Sequence, residues 1–219
     1  MLDETKRDKE LGLKVQAYLI KKKVQTPTTN IFEPERHRMI ETHFKSIMEV
    51  LGLDLRDDSL TETPKRVANM FINELFWGLN PHNFPKITTV KNKMQYNEMV
   101  IEKDIKVSSV CEHHFVTIFG KAHIAYIPKK TVLGLSKLNR ITEYFSRRPQ
   151  IQERLGQQIF HTLCYILGTN DVAVVIEAEH FCVKTRGVED VNSSTVTSKL
   201  GGKFITKPAL RAEFMGLIR

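Results

Sequence analysis

The chain has 219 residues, 41% of them hydrophobic and 26% charged, with three cysteines and a formal net charge of +8. That composition excludes a disordered or fibrous chain, and no run reaches the roughly 18 apolar residues a membrane span requires. Three thiols cannot form a full disulfide framework, so each is read as a metal ligand, a nucleophile or core filler in a reducing compartment. The positive charge points to anionic partners without choosing among nucleic acid, acidic membrane and small phosphorylated substrates.

In chain order, residues 3–24 read as a basic, weakly amphipathic helix, expected to be a solvated appendage, ended by the loop Thr26-Pro27-Thr28-Thr29-Asn30. They lack the apolar core of a secretory signal, and a cytoplasmic location is expected. From Pro34 on, Ile40, Phe44, Ile47 and Leu51 predict a helix burying one face, closed by Gly52. Thr63-Pro64 predicts a second helix start, with Thr63 as its cap and Val67, Phe71 and Leu75 on one stripe.

Beyond Phe84-Pro85 the period drops to two. Ile101, Ile105 and Val107 are expected on one face of a strand near 99–110, and Ile118, Ala122, Ile124 and Tyr126 on one face of a strand near 117–127. Helices are expected at 135–147 and 150–167, separated at Pro149. A strand follows over 171–184, with Val172, Val174, Ile176, Ala178, His180 and Cys182 on one face. A last strand within 193–204 and a short helix from Pro208 complete an α+β pattern with antiparallel sheet. The expected division is an N-terminal helical region, 1–95, and a catalytic domain, 96–219.

Cys111-x-x-His114 has the spacing at which one turn presents two donors to a single ion, and Cys182 offers a third from far along the chain. Three protein ligands leave a position for water, flanked by His113 and His180 as proton carriers; a fourth ligand, His113 or His180, would instead make a closed structural staple. Spacing leaves both open. Cys164, beside Leu163 and Leu167, reads as core filler, and His37, His43, His82, His123 and His161 as surface or packing residues. Leu135-Ser136-Lys137-Leu138-Asn139-Arg140 starts a helix with cations near backbone N–H donors, a phosphate cradle to which Arg186 adds charge. Gln152-Glu153 supplies an amide and a carboxylate able to read an amino-substituted heterocycle.

Four segments, Cys111-Glu112-His113-His114-Phe115, Gly134 through Arg140, Arg148-Pro149-Gln150-x-Gln152-Glu153-Arg154 and His180-x-Cys182-x-x-x-Arg186-Gly187, together resemble the GTP cyclohydrolase I family. The resemblance runs from about residue 34 to the C-terminus. It implies the tunnelling fold, an antiparallel sheet backed by two helices, assembled as a homodecamer of two stacked pentamers. It also implies conversion of GTP and water to formate and 7,8-dihydroneopterin triphosphate, the first step of folate or pterin synthesis. By the same resemblance, zinc sits on Cys111, His114 and Cys182 and activates a water toward C8 of guanine. His113 and His180 form the acid/base pair, and Ser136 and Gln152 are counted with them in the catalytic set. Glu153, helped by Gln152, resembles the anchor of the guanine edge, Ser136, Lys137, Arg140 and Arg186 resemble triphosphate and ribose contacts, Arg66 resembles another phosphate contact delivered from a neighbouring subunit, and Glu112 is counted with the substrate contacts. A lysine frequent in the family three residues after Arg66 is replaced by Asn69, which removes one expected phosphate contact. Two thiolates on one tetrahedral zinc, at ~2.3 Å per bond, lie roughly 3.8 Å apart, so metal loss in air is expected to join Cys111 to Cys182.

Two other readings compete with this one. A nitrile reductase of the same fold uses one cysteine nucleophile and a nicotinamide, and the second thiol with His113 and His114 disfavours it. A nucleic-acid module stapled by zinc fits the net charge, but the basic residues are spread along the chain without aromatic interleaving. No nucleic-acid or membrane partner is expected.

Overall fold

A computed structural model describes residues 3–29 and 35–219. Asn30, in the expected loop, and Pro34, at the expected helix start, lie outside the described residues. The chain forms two compact units, one from Pro27–Trp77 and the other from Asp3–Thr26 with Gly78–Arg219.

The larger unit begins with α1, Lys9–Lys21, whose first turn is capped by Asp8: its carboxylate accepts from the Leu11 amide at 2.9 Å. The expected solvated appendage is instead packed. Val15 and Leu19 are buried, and Tyr18 stacks on Tyr165 with ring centroids 5.1 Å apart. Gly12 has to be glycine, because a Cβ there would lie 2.0 Å from the Pro81 carbonyl oxygen. Past the helix, the Val24 carbonyl accepts from Gln158 Nε2 at 2.9 Å, and Thr26 Oγ1 accepts from Arg148 Nη1 at 3.3 Å. A weak apolar stripe on a basic helix hid this burial, since the lysine stems stay in water while two side chains do the packing.

The smaller unit holds α2, Arg36–Val50, and α3, Thr63–Asn69, which runs on into a π-helical segment, Met70–Leu75. Two expectations change here. Met48 is the buried residue of α2, whereas Ile47 and Leu51 of the expected stripe are exposed. Thr63 is the first residue of α3 rather than its cap, and its hydroxyl accepts from Arg66 Nη2 at 3.0 Å; Pro64 occupies the first turn as expected. Asn69 Oδ1 lies 3.0 Å from His37 Nε2 and accepts from Asn73 Nδ2 at 3.2 Å.

The larger unit continues with β1 (Thr89–Lys91), β2 (Val100–Cys111), β3 (Thr117–Tyr126) and β4 (Thr131–Leu133). Helix α4 (Ser136–Ser146), β5 (Pro149–Gln150), α5 (Gln152–Leu167) and β6 (Val172–His180) follow. The one-turn α6 (Phe181–Lys184), β7 (Thr195–Leu200), α7 (Lys203–Thr206) and α8 (Pro208–Leu217) end the chain. Strands β1 and β4 form a small ladder, and the main sheet has the order β5-β2-β3-β6-β7, antiparallel except for the short β2·β5 pairing. Alternation buries Ile118, Ala122, Ile124 and Tyr126 of β3 with Val172, Val174 and Ile176 of β6, against Leu138, Ile141 and Phe145 of α4 and Leu155, Ile159 and Leu163 of α5. Each such side chain contributes about 1.5–3 kcal/mol.

Ile101 does not share a face with Ile105 and Val107. An extra residue is inserted in β2 between Glu102 and Ile105, with Asp104 at φ +57°, so Ile101 pairs with Ala125 and Ile105 with Ala122. Ile101 thereby joins a second core on the opposite face, where Ala125, Ala173 and Val175 meet Phe204 and Phe214. The last expected strand is accordingly shorter than 193–204: β7 stops at Leu200, and the chain turns through Gly202 into α7 to deliver Phe204.

Arg148 is buried, with no carboxylate partner among the described residues. Its guanidinium lies 4.7 Å and 4.8 Å from the ring centres of Tyr144 and Phe145 and donates to the Gly78 carbonyl as well as to Thr26. Burial drives its pKa down from the usual arginine range. Because α1 and its tail complete this core, Leu19→Ala is expected to lower the unfolding free energy by about 2–5 kcal/mol in urea titration; a change within about 0.5 kcal/mol, as for a surface site, would contradict the packing.

Candidate metal centre and active site

The site forms where β2 and β6 end. Cys111 is the last residue of β2, and the turn Glu112–Phe115 carries His113 and His114 before β3 begins. Phe115 takes φ +54°, a left-handed conformation that closes the turn, and its amide donates to the Cys111 carbonyl at 2.9 Å. Cys182 is not on the strand that was expected to carry it beside His180. β6 stops at His180, and Cys182 sits in α6, where Thr185 N donates to Phe181 O at 2.9 Å. The helical turn still brings its sulfur to the cluster.

The donor atoms of Cys111, His114 and Cys182 all lie within 4.8 Å of one another. Cys111 is buried, Cys182 half-buried and His114 exposed, so the cluster opens to solvent on the imidazole side. His113 Nδ1 is 3.6 Å from Cys111 Sγ. Burial pushes the Cys182 thiol up, the neighbouring Cys111 pushes it further, and Arg186 opposes both. A cation between the two sulfurs reverses this, because coordinated thiols lose their protons. Two sulfurs and an imidazole nitrogen are therefore a donor set that can hold a metal ion. Arg186 Nη1 lies 3.0 Å from His114 Nε2, putting a guanidinium beside the cluster.

His180 is held by Gln152, the first residue of α5. The Gln152 amide nitrogen lies 3.0 Å from Ile176 O, 2.9 Å from Thr195 O and 3.1 Å from Thr197 Oγ1. Two of these are carbonyl oxygens that only accept, so the amide can face one way, with Oε1 toward His180 Nε2 at 2.8 Å. Gln152 Oε1 cannot donate; His180 Nε2 must. The neutral imidazole then carries its proton on Nε2 and leaves Nδ1 as its basic nitrogen. Burial lowers the His180 pKa, and the carboxylate of Glu153 partly restores it.

Glu112 turns to α5, where Arg154 Nη1 meets its Oε2 and Arg154 Nη2 its Oε1 at 3.2 Å. Ser136 and Lys137 open α4 with Arg140 one turn on, and among the described residues none of the three has a side-chain hydrogen bond or ion pair to the cluster. Arg66 lies in the smaller unit and donates to Ser59 O at 3.0 Å as well as to Thr63. Sequence reasoning missed the roles of Thr195, Thr197 and Arg154. No local pattern marks them, because their partners lie 42 to 45 residues away.

An α+β protein with a three-donor thiol and imidazole metal site at the end of an antiparallel sheet is the class these features define. A family profile for GTP cyclohydrolase I matches residues 40–219. GTP cyclohydrolase 1 of Aeromonas salmonicida is 54% identical over 207 residues, covering 94% of this chain and 95% of the relative. The Aeromonas hydrophila enzyme of that name is 55% identical over 206 residues, with 93% and 94% covered, and the Haemophilus ducreyi one 52% over 207, with 94% and 95%. The chain belongs to the GTP cyclohydrolase I family.

Cys164 behaves as core: it is buried in α5, and desolvation pushes its thiol up to about 12. At pH 8 it is almost wholly protonated, so an alkylating reagent should leave it unmodified in the folded protein. Air oxidation of metal-free protein should lower the thiol count after denaturation from three to one, with Cys164 the survivor; a count still at three would exclude a Cys111–Cys182 disulfide.

Proposed function

We propose that this chain converts GTP and water to formate and 7,8-dihydroneopterin triphosphate, using zinc held by Cys111, His114 and Cys182. The observation that carries the reading is the meeting of three soft donors within 4.8 Å beside a histidine whose proton is placed by Gln152. Zinc bound there would supply a water nucleophile active near neutrality.

The remaining chemistry belongs to side chains. Formate release from a purine ring needs the imidazole portion protonated and opened, and then the formyl carbon hydrolysed. His180, with its proton fixed on Nε2 by Gln152, is free to exchange a second proton at Nδ1. His113, 3.6 Å from the Cys111 sulfur, is the other proton carrier at the cluster. Exposed Glu153, next to Gln152 on α5, can accept from the 2-amino and ring N–H groups of guanine. Ser136, Lys137 and Arg140 at the start of α4, with Arg186, are assigned to the triphosphate and ribose, where cations and a helix N-terminus suit anionic oxygens, and Arg66 is assigned a further phosphate contact in a neighbouring subunit of the assembly. Glu112 is assigned to the substrate contacts with them.

The reading extends to architecture. The five-stranded sheet backed by α4 and α5 is assigned to the tunnelling fold, working as a homodecamer of stacked pentamers, with 96–219 as the catalytic domain and 1–95 as the N-terminal helical region. Thiol ligands suit the reducing cytoplasm, where the protein is placed. Among the described residues no helix is long and apolar enough to cross a membrane.

Incubation with GTP followed by oxidation should give fluorescent neopterin and stoichiometric formate, and unchanged GTP in the presence of one zinc per chain would refute the assignment. Cys111→Ala, His114→Ala and Cys182→Ala should lose metal and turnover together. His113→Ala and His180→Ala should keep the metal and lose turnover by about 10²–10⁴-fold; metal loss in those two would indicate a closed structural site.

A further inference from the structure

We propose that Arg154 is a positioning residue for the metal-binding turn, acting through Glu112. The two guanidinium nitrogens face the two carboxylate oxygens as a fork, the strongest geometry such a pair adopts. The side chains are 15% and 25% exposed, so the pair is shielded from the solvent competition that makes surface ion pairs weak. Arg154 also stands in the first turn of α5, where a cation opposes the helix dipole. The carboxylate of Glu112 offsets that opposition.

Backbone contacts act on the same turn. Glu112 N donates to Gln150 O at 3.0 Å, and Cys111 is registered against Gln150 in the β2·β5 pairing. The segment bearing Cys111, His113 and His114 is thus tied at backbone and side chain to the segment bearing Gln152 and Glu153. Cys182 arrives separately on α6. The Arg154–Glu112 fork holds the two donors of the turn at the place where the third can meet them. A lysine would supply the charge without the fork.

The inference rests on zinc being the metal at this site, and direct zinc affinity of the full-length protein, by competition with a chromophoric chelator, separates the two. Arg154→Gln and Glu112→Gln should each bind zinc about tenfold more weakly than the native protein, as for other groups that orient metal ligands. Arg154→Lys should recover only part of the loss. Combining Glu112→Arg with Arg154→Glu should bind more tightly than either single change. At saturating zinc Arg154→Gln and Arg154→Lys should turn over GTP with an unaltered KM. If the native protein binds zinc and both glutamine variants match it, the positioning role is overturned while the metal reading stands. If the native protein binds no zinc, the metal reading falls first. Arg154→Gln that raises the KM for GTP at unchanged zinc affinity would make the fork act on the substrate and not on the metal-binding turn, and would also overturn the proposal. Should Arg154→Gln fail to fold by thermal melting, Glu112→Gln, which keeps the side chain's shape, decides the matter.

Discussion

The pairing of β3 with β6 is the constraint on which the site depends. It runs unbroken from Ile118 opposite His180 to Tyr126 opposite Val172. Cys111 precedes β3 by one turn and Cys182 follows β6 by one, so this register brings together thiols 71 positions apart. Slipping it by one residue would turn Val174 and Ile176 out of the core and move both thiols out of step. Gly120 permits the close approach. A Cβ there would sit 2.1 Å from Glu177 O and 2.5 Å from the Ala178 Cα, a clash with backbone that no rotamer relieves.

A second organiser is the start of α5. The helix buries Leu155, Ile159 and Leu163, and that packing fixes where its first turn lies. From there Gln152 reaches backbone or side-chain oxygens of β6 and β7, and Arg154 reaches the turn after β2. Hydrophobic burial sets the helix, and polar contacts at its N-terminus then set His180 and the metal turn. The order matters because buried polar contacts hold a geometry well only when their anchors are already rigid.

Much of the fold was legible from period alone. β3 and β6 alternate over long stretches between clear punctuation, and α4 and α5 carry apolar residues at helical spacing on either side of Pro149. What escaped was whatever breaks a period by one residue or depends on distant partners. The inserted residue near Asp104 flips Ile101 to the other face, and alternation offers no sign of it. Phe181, Cys182 and Val183 have strand-forming side chains, yet the chain coils there, and Lys184 is held by Glu179 at 3.1 Å and by the Val191 carbonyl at 2.7 Å. α1 is basic enough to read as solvated, although Val15 and Leu19 are buried. The cluster of Cys111, His114 and Cys182 was legible because thiols are rare in this chain and chemically specific. The groups that orient them were not, since glutamine, threonine and arginine occur everywhere and take meaning only from a partner across the fold.

These contacts also sort the charges of the site. Glu112 is neutralised by Arg154, which leaves exposed Glu153 as the carboxylate near His180. Among the described residues Arg186 pairs with no carboxylate, and it sits against His114 of the thiol and imidazole cluster. One helix turn thus carries both the amide that places the His180 proton and the carboxylate that raises the His180 pKa, which is a physical reason for Gln152 and Glu153 to stand next to each other.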